Sequence, residues 1–149
     1  MKNGIVFYET SVAVNKTVSK DNFFAAALNW LNNSFPGSDE KTGIDKTTGK
    51  ISAVKVFKVI TDAAAGHYYW LKPTIIILQH DDSCTLQLYN YYEKPIMPGV
   101  TNDYSKIEYR WWDFRKGKPW NNEDEMLFKG LNENSEKLIT SFRDFMQKQ

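Results

Sequence analysis

The stretch from Ser19 to Phe35, SKDNFFAAALNWLNNSF, narrows the possible folds more than any other part of the chain. Phe24, Ala27, Leu28, Leu31 and Phe35 recur at helical period and form one stripe. Phe23, Ala26 and Trp30 widen that stripe, while Asn22, Asn29, Asn32 and Asn33 fill the opposite side. Ser19 suits the N-cap, where its hydroxyl accepts from a free N–H of the first turn, and Asp21 complements the positive helix end. Pro36-Gly37 stops the helix, because proline lacks the N–H and disfavours helical geometry just before it. An apolar face this aromatic needs a surface to cover. A membrane-surface helix would carry Lys and Arg on its polar side, not asparagine, so the spacing predicts a helix lying on a sheet.

The rest of the chain offers that sheet. Ile5 to Val14 alternates at period two. Ile44–Lys46 and Ile51–Ile60 flank Thr47-Thr48-Gly49-Lys50, a hairpin turn in which Gly49 can take positive φ. Thr61–Gly66 is a connector of small residues. His67–Leu71 begins another strand, with Pro73 at an edge or bulge. Thr74–His80 and Thr85–Tyr92 pair across the turn Asp81-Asp82-Ser83. Glu93–Ser105 contains Pro95, Pro98 and Gly99 and reads as a surface loop. Lys106–Phe114 alternates and is expected to be a last strand. Glu123–Gln147 reads as a second helix, with Leu127, Leu131, Leu138, Phe142 and Phe145 on one face and a weak point at Gly130. Hairpin connections imply an antiparallel sheet, and two amphipathic helices imply two layers. The expectation is therefore α+β: a twisted antiparallel sheet of about five to six strands with two helices on one face, in the order β-α-β-β-β-β-(β)-α.

At 149 residues the chain is expected to be a single domain able to bury a core without staples. Its formal net charge of +1 provides no global field for nucleic acid or acidic lipid. The lone Cys84 excludes an internal disulfide. No run of apolar residues is long enough for a membrane span, and no signal-peptide apolar region precedes the first strand.

Candidate chemistry is sparse. His67 and His80 are the only histidines, and neither lies in an HxxxH or HExxH pattern. His80-Asp81-Asp82 is explained by a strand end followed by a turn. Cys84 has no CxxC partner and is expected to be a buried structural thiol. Glu123-Asp124-Glu125 is accounted for by a helix start. No catalytic, cofactor-binding or metal-binding residue is therefore assigned, and no cofactor is expected. The most unusual stretch is Tyr104–Trp120, where Tyr104, Tyr109, Trp111, Trp112, Phe114 and Trp120 alternate with Lys106, Arg110, Arg115, Lys116 and Lys118. Such interleaving serves stacking or partner contact, although a strand packed beneath the last helix accounts for the same letters. Glu108 and Asp113 dilute its charge, which disfavours nucleic acid. Gln87, Tyr89 and Tyr91 are expected opposite Leu86 and Leu88, on the sheet face left open by the helices. Together with Arg110 and Trp112 they are the candidate partner-binding residues.

The strand with Val12 and Val14, Ser19-Lys20-Asp21 opening a helix, Trp30 and Phe35 resemble a bacterial, Bacteroidetes-type domain of unknown function with a TATA-binding-protein-like (TBP-like) fold. Thr48-Gly49-Lys50-Ile51 and the turn Asp81-Asp82-Ser83 continue the resemblance, which spans roughly residues 5–92. Residues 93–149, a loop, a possible strand and the C-terminal helix, lie outside it. Such domains often carry Asp-Gly in the late turn, where this chain has Asp82-Ser83. The resemblance implies a fold and an exported setting in the periplasm or at the cell surface; it implies no activity. The expected function is a non-enzymatic binding or accessory domain taking a protein or small polar ligand. One alternative is a cytoplasmic partner-binding protein, such as an immunity protein, if Met1 is the native start. The other is a small hydrolase, which requires His67 and His80 within about 3 Å of a common point.

Overall fold

The computed structural model describes residues 4–14, 19–36, 38, 42–100 and 103–149. Along the chain run β1 (Phe7–Ala13), α1 (Lys20–Ser34), β2 (Thr42–Asp45), β3 (Lys50–Val54), β4 (Phe57–Asp62), β5 (His67–Gln79), β6 (Ser83–Ile96), β7 (Ser105–Lys106), α2 (Glu108–Arg115) and α3 (Asn122–Gln147). The seven strands form one antiparallel sheet. The long pair β5 and β6 is its spine. At one end the order is β1-β6-β5-β3-β2; at the other, β4 pairs with β5 and β7 with β6.

The first helix is built as its spacing predicts. Ser19 Oγ accepts from Asn22 N at 3.1 Å, and the helix ends before Phe35-Pro36. Phe23, Phe24, Ala27, Trp30 and Leu31 are buried. Each large apolar side chain of this kind contributes about 1.5–3 kcal/mol by leaving water. The exposed Lys46–Asp21 ion pair adds at most about 1 kcal/mol, so burial, not charge, holds α1 down. Trp30 donates from Nε1 to Ser141 Oγ and meets Phe142 edge-on at 5.1 Å, which locks α1 beside α3. Both helices cover the sheet face made by Val12, Ile51, Ile75, Ile77, Leu86 and Leu88. The hairpin turn also forms: Gly49 has φ +70°, and Asp45 Oδ1 accepts from the amides of Thr47 and Thr48.

Four expectations are corrected. The long arm Ile51–Ile60 breaks at Lys55-Val56 into β3 and β4, both paired to β5. Glu93–Ser105 is not all loop, because β6 continues through Pro95 to Ile96. The segment read as a last strand keeps only Ser105–Lys106 as strand and then turns into α2, giving seven strands and three helices among the described residues. The reason for that turn is tertiary. As a helix the segment sends Glu108 inward, where it is buried and accepts from Val6 N at 3.0 Å, and brings Arg110 to buried carboxylates. Its rings then meet at i, i+3, as Tyr109–Trp112 and Trp111–Phe114.

The fourth correction concerns β6. Asn90 has φ +56°, and the register slips between Lys72 and Thr74, so β6 holds one residue more than β5 at this point. This is a β-bulge. It reverses which residues of β6 face the helices: Leu86 and Leu88 before it, Tyr91 and Glu93 after it. Tyr91 is therefore buried beneath α3, its hydroxyl 2.7 Å from Ser135 Oγ, and is not on the open face. Asparagine tolerates the left-handed region better than any branched residue. Asn90→Gly is expected to leave stability within about 0.5 kcal/mol and Asn90→Val to lower it by about 1–2 kcal/mol, read by urea denaturation. Equal effects would show that the bulge does not depend on residue type.

Candidate functional site

The sequence candidates scatter. His67 opens β5 and His80 follows its end, so a strand of 13 residues separates them, roughly 40 Å at the usual strand rise. They cannot share a reacting atom, so the arrangement that the hydrolase alternative requires of these two histidines does not form. His80 Nε2 lies 3.1 Å from Thr85 Oγ1 at a turn closed by His80 N donating to Ser83 O. Cys84 is fully buried on the helix-covered face, and burial pushes its thiol up to about 11, so it is an inert structural thiol. Asp124 closes the capping box of α3: Asn121 Oδ1 accepts from Asp124 N, and Asp124 Oδ2 accepts from Asn121 N.

Asp124 also belongs to a cluster that no motif announced. Arg110, on α2, donates from Nε to both oxygens of Glu93 at 2.9 and 2.7 Å. Its Nη1 donates to Asp124 Oδ1 at 2.6 Å and its Nη2 to the Tyr69 hydroxyl at 3.0 Å. Glu93 and Asp124 are buried. Burial raises the Glu93 carboxyl above its ordinary range, although the hydrogen bond and charge of Arg110 pull against it. For Arg110, burial acts to lower the pKa, and the hydrogen bond and charge of Glu93 override it, so the guanidinium stays charged. Burial pushes the Tyr69 hydroxyl up to about 12. A cavity of about 340 Å³ opens beside this cluster, lined by Lys106, Asp113, Lys118 and Pro119 among others. The cluster's chemistry is internal. Three of the five guanidinium donors are engaged, and the two carboxylates hold α2 and the start of α3 against β6.

Around α2 the aromatics of the Tyr104–Trp120 stretch divide. Trp111, Phe114, Trp120 and Phe128 stack on one another at 5.2–6.2 Å and tie α2 to α3. Tyr109, Trp112 and Phe114 are exposed. Trp112 thus lies on a helix surface and not on the sheet, while Arg110 is the centre of the buried cluster.

The open face of the sheet is the second candidate. Near β1 it holds Phe7, Glu9, Gln87 and Tyr89, with Gln87 Nε2 donating to Glu9 Oε2 at 2.7 Å and the Phe7 and Tyr89 rings 6.0 Å apart. Gln87 and Tyr89 therefore stand on the open side, as expected. Beyond the bulge the face changes character. Register places Lys58, Trp70 and Lys94 in one row across β4, β5 and β6, with Ile60, Tyr68 and Ile96 beside it and Lys72 and Tyr92 on the other side. Their neighbours in sequence, Tyr69, Leu71, Tyr91 and Glu93, are buried toward the helices, so this set points away from them. Lys58 Nζ stands 4.0 Å from the centre of the Tyr68 ring, and Lys72 and Lys94 stand 3.9 and 5.0 Å from that of Tyr104. Alternation alone gave no signal for this patch, because it is assembled from three strands.

No family model matches the chain, and no curated protein does. Two solved structures are similar. A TBP-like protein from Parabacteroides distasonis ATCC 8503 superposes with a TM-score of 0.72 at 19% identity, covering 99% of this chain and 96% of that one. A DUF4468 family protein from Bacteroides ovatus ATCC 8483 superposes with a TM-score of 0.60 at 12% identity, covering 99% of this chain and 85% of that one. These likenesses show the fold: a TBP-like α+β domain, including the residues after 92 that the sequence resemblance did not reach.

Proposed function

We propose that this chain is a non-enzymatic binding domain and that the open face of its sheet is the contact surface. One observation carries the reading: aromatic side chains stand on that face although both long helices have gone to the other. Tyr68, Trp70, Tyr89 and Tyr92 remain half-exposed there, where a sheet with no partner is ordinarily polar. The cluster beside the cavity supports the non-enzymatic part, since Arg110, Glu93, Asp124 and Tyr69 are engaged with one another. The reading is the same in either compartment and for either kind of partner-binding role considered above.

Hydroxyl-radical footprinting of the chain in a lysate of its own cells, compared with the purified chain, tests it. Trp70, Tyr89 and Tyr92 are expected to be protected in the lysate, while Tyr109 and Trp112 on α2 keep their reactivity. Protection confined to α2, or none at all, would transfer the function away from the sheet.

A further inference from the structure

We infer that the half of the open sheet face formed by Lys58, Lys72, Lys94, Tyr68, Trp70 and Tyr92 binds single-stranded polynucleotide. This deepens the reading above and rests on it. The three rows of this half contain no carboxylate, so a chain with a net charge of +1 presents a local cationic patch. Lys58 and Lys94 flank Trp70 in a single row, about two strand spacings apart, roughly 10 Å. Trp70 and Tyr92 are diagonal neighbours across β5 and β6, placing their side chains about 7–8 Å apart. Tyr68 meets Trp70 edge-on at 6.0 Å and braces its ring.

That combination selects among anionic or ring-shaped ligands. An acidic peptide would use the lysines and leave the rings idle. A neutral sugar would stack on the rings, but these rows supply no Asp, Glu, Asn or Gln to hold its hydroxyls. A single strand uses both: phosphates meet the lysines while bases stack on Trp70 and Tyr92, which is how aromatic platforms in positive grooves hold single strands. An open antiparallel sheet presents such platforms without needing a cleft. The other half of the face, with Glu9, Gln87 and Tyr89, carries no such charge and marks where the track ends.

The test is fluorescence anisotropy with fluorescein-labelled oligo-dT of about 12 nucleotides, at about 50 and about 200 mM salt. Binding is expected at the lower salt. Trp70→Ala should weaken it roughly 5- to 150-fold, as loss of one stacked base does, with circular dichroism confirming that the variant folds. Lys58→Gln, Lys72→Gln and Lys94→Gln, which leave the core untouched, should each take about 0.7 off the log–log salt slope. Lys137→Gln, on the exposed side of α3, should change nothing. No binding at the lower salt overturns the inference. So does a DNA duplex, poly-glutamate or heparin binding as tightly with Trp70→Ala indifferent, since that is capture by charge alone. If the oligonucleotide fails but the lysate footprint survives nuclease treatment, the polynucleotide is removed and the binding face stands. If both fail, both readings fall.

Discussion

Arg110→Ala will destabilise the fold by about 3 kcal/mol and lower Tm by roughly 6–12 °C. The substitution leaves Glu93 and Asp124 buried beside each other with no cation, and removing one partner from a buried charge cluster costs more than the cluster contributes. Arg110 keeps part of its side chain in water, which places the expected loss at the lower end of the range for such deletions. The loss should also depend on pH. Burial holds the folded-state pKa of Glu93 above its unfolded value. Its contribution to stability is therefore greatest below the unfolded value and is lost as pH rises through the folded one. Without Arg110 nothing holds that pKa down, so the deficit of Arg110→Ala should be smaller near pH 5 than near pH 8. Glu93→Gln, which keeps a neutral acceptor near Arg110 and leaves the Asp124 pair, should cost less than about 1.5 kcal/mol. Urea melts of the two variants at both pH values decide it. A deficit under about 1 kcal/mol for Arg110→Ala, or one that ignores pH, would mean that α2 is held by its rings and not by its charge.

Gly130→Leu will cost about 3 kcal/mol, near the upper end for overpacked sites. Gly130 lies in mid-helix, where alanine would ordinarily gain about 1 kcal/mol. Here α3 crosses β4 so closely that a Cβ would overlap Val59 Cγ1 and stand 3.2 and 3.3 Å from Val59 Cγ2 and Cβ. Even Gly130→Ala should therefore destabilise, by about 1–2 kcal/mol, despite the helix propensity it gains. Val59→Ala opens the space. In the double variant the two losses should fall short of their sum by about 1 kcal/mol or more, because the clash is then absent. Additive losses would place the strain elsewhere in α3.

The glycine illustrates what sequence reading can and cannot reach. From propensity, Gly130 is a weak point that bends a helix; in the fold, α3 runs unbroken from Asn122 to Gln147, and the missing side chain is the condition for close packing on Val59. Tyr91 fails in the same way. Period two is a sound guide along β6 until Asn90 inserts one residue, after which every side chain changes face, and in the letters LQLYNYYEK only the asparagine, uncommon in strands and tolerant of positive φ, marks that point. Ile107–Arg115 is the third case. Its β-prone aromatics alternate well, and the helix wins because Glu108 and Arg110 find buried partners more than a dozen residues away. The i, i+3 spacing of Tyr109 with Trp112 and of Trp111 with Phe114 was the one local sign of it.

Local order was set by the chain itself. A stripe at period 3.6 with a serine cap makes α1, a glycine at positive φ closes the β2–β3 turn, and alternation makes the spine strands, because each depends on contacts between residues near in sequence. The α+β class follows from those elements, since two apolar helix faces and one apolar sheet face have nowhere else to go. Only the assembled molecule decided which face of β6 is wet, which carboxylates Arg110 meets, and that lysines from three different strands converge around Trp70. Each of these depends on register between distant segments, and a shift of one residue there inverts the outcome while leaving every local signal unchanged.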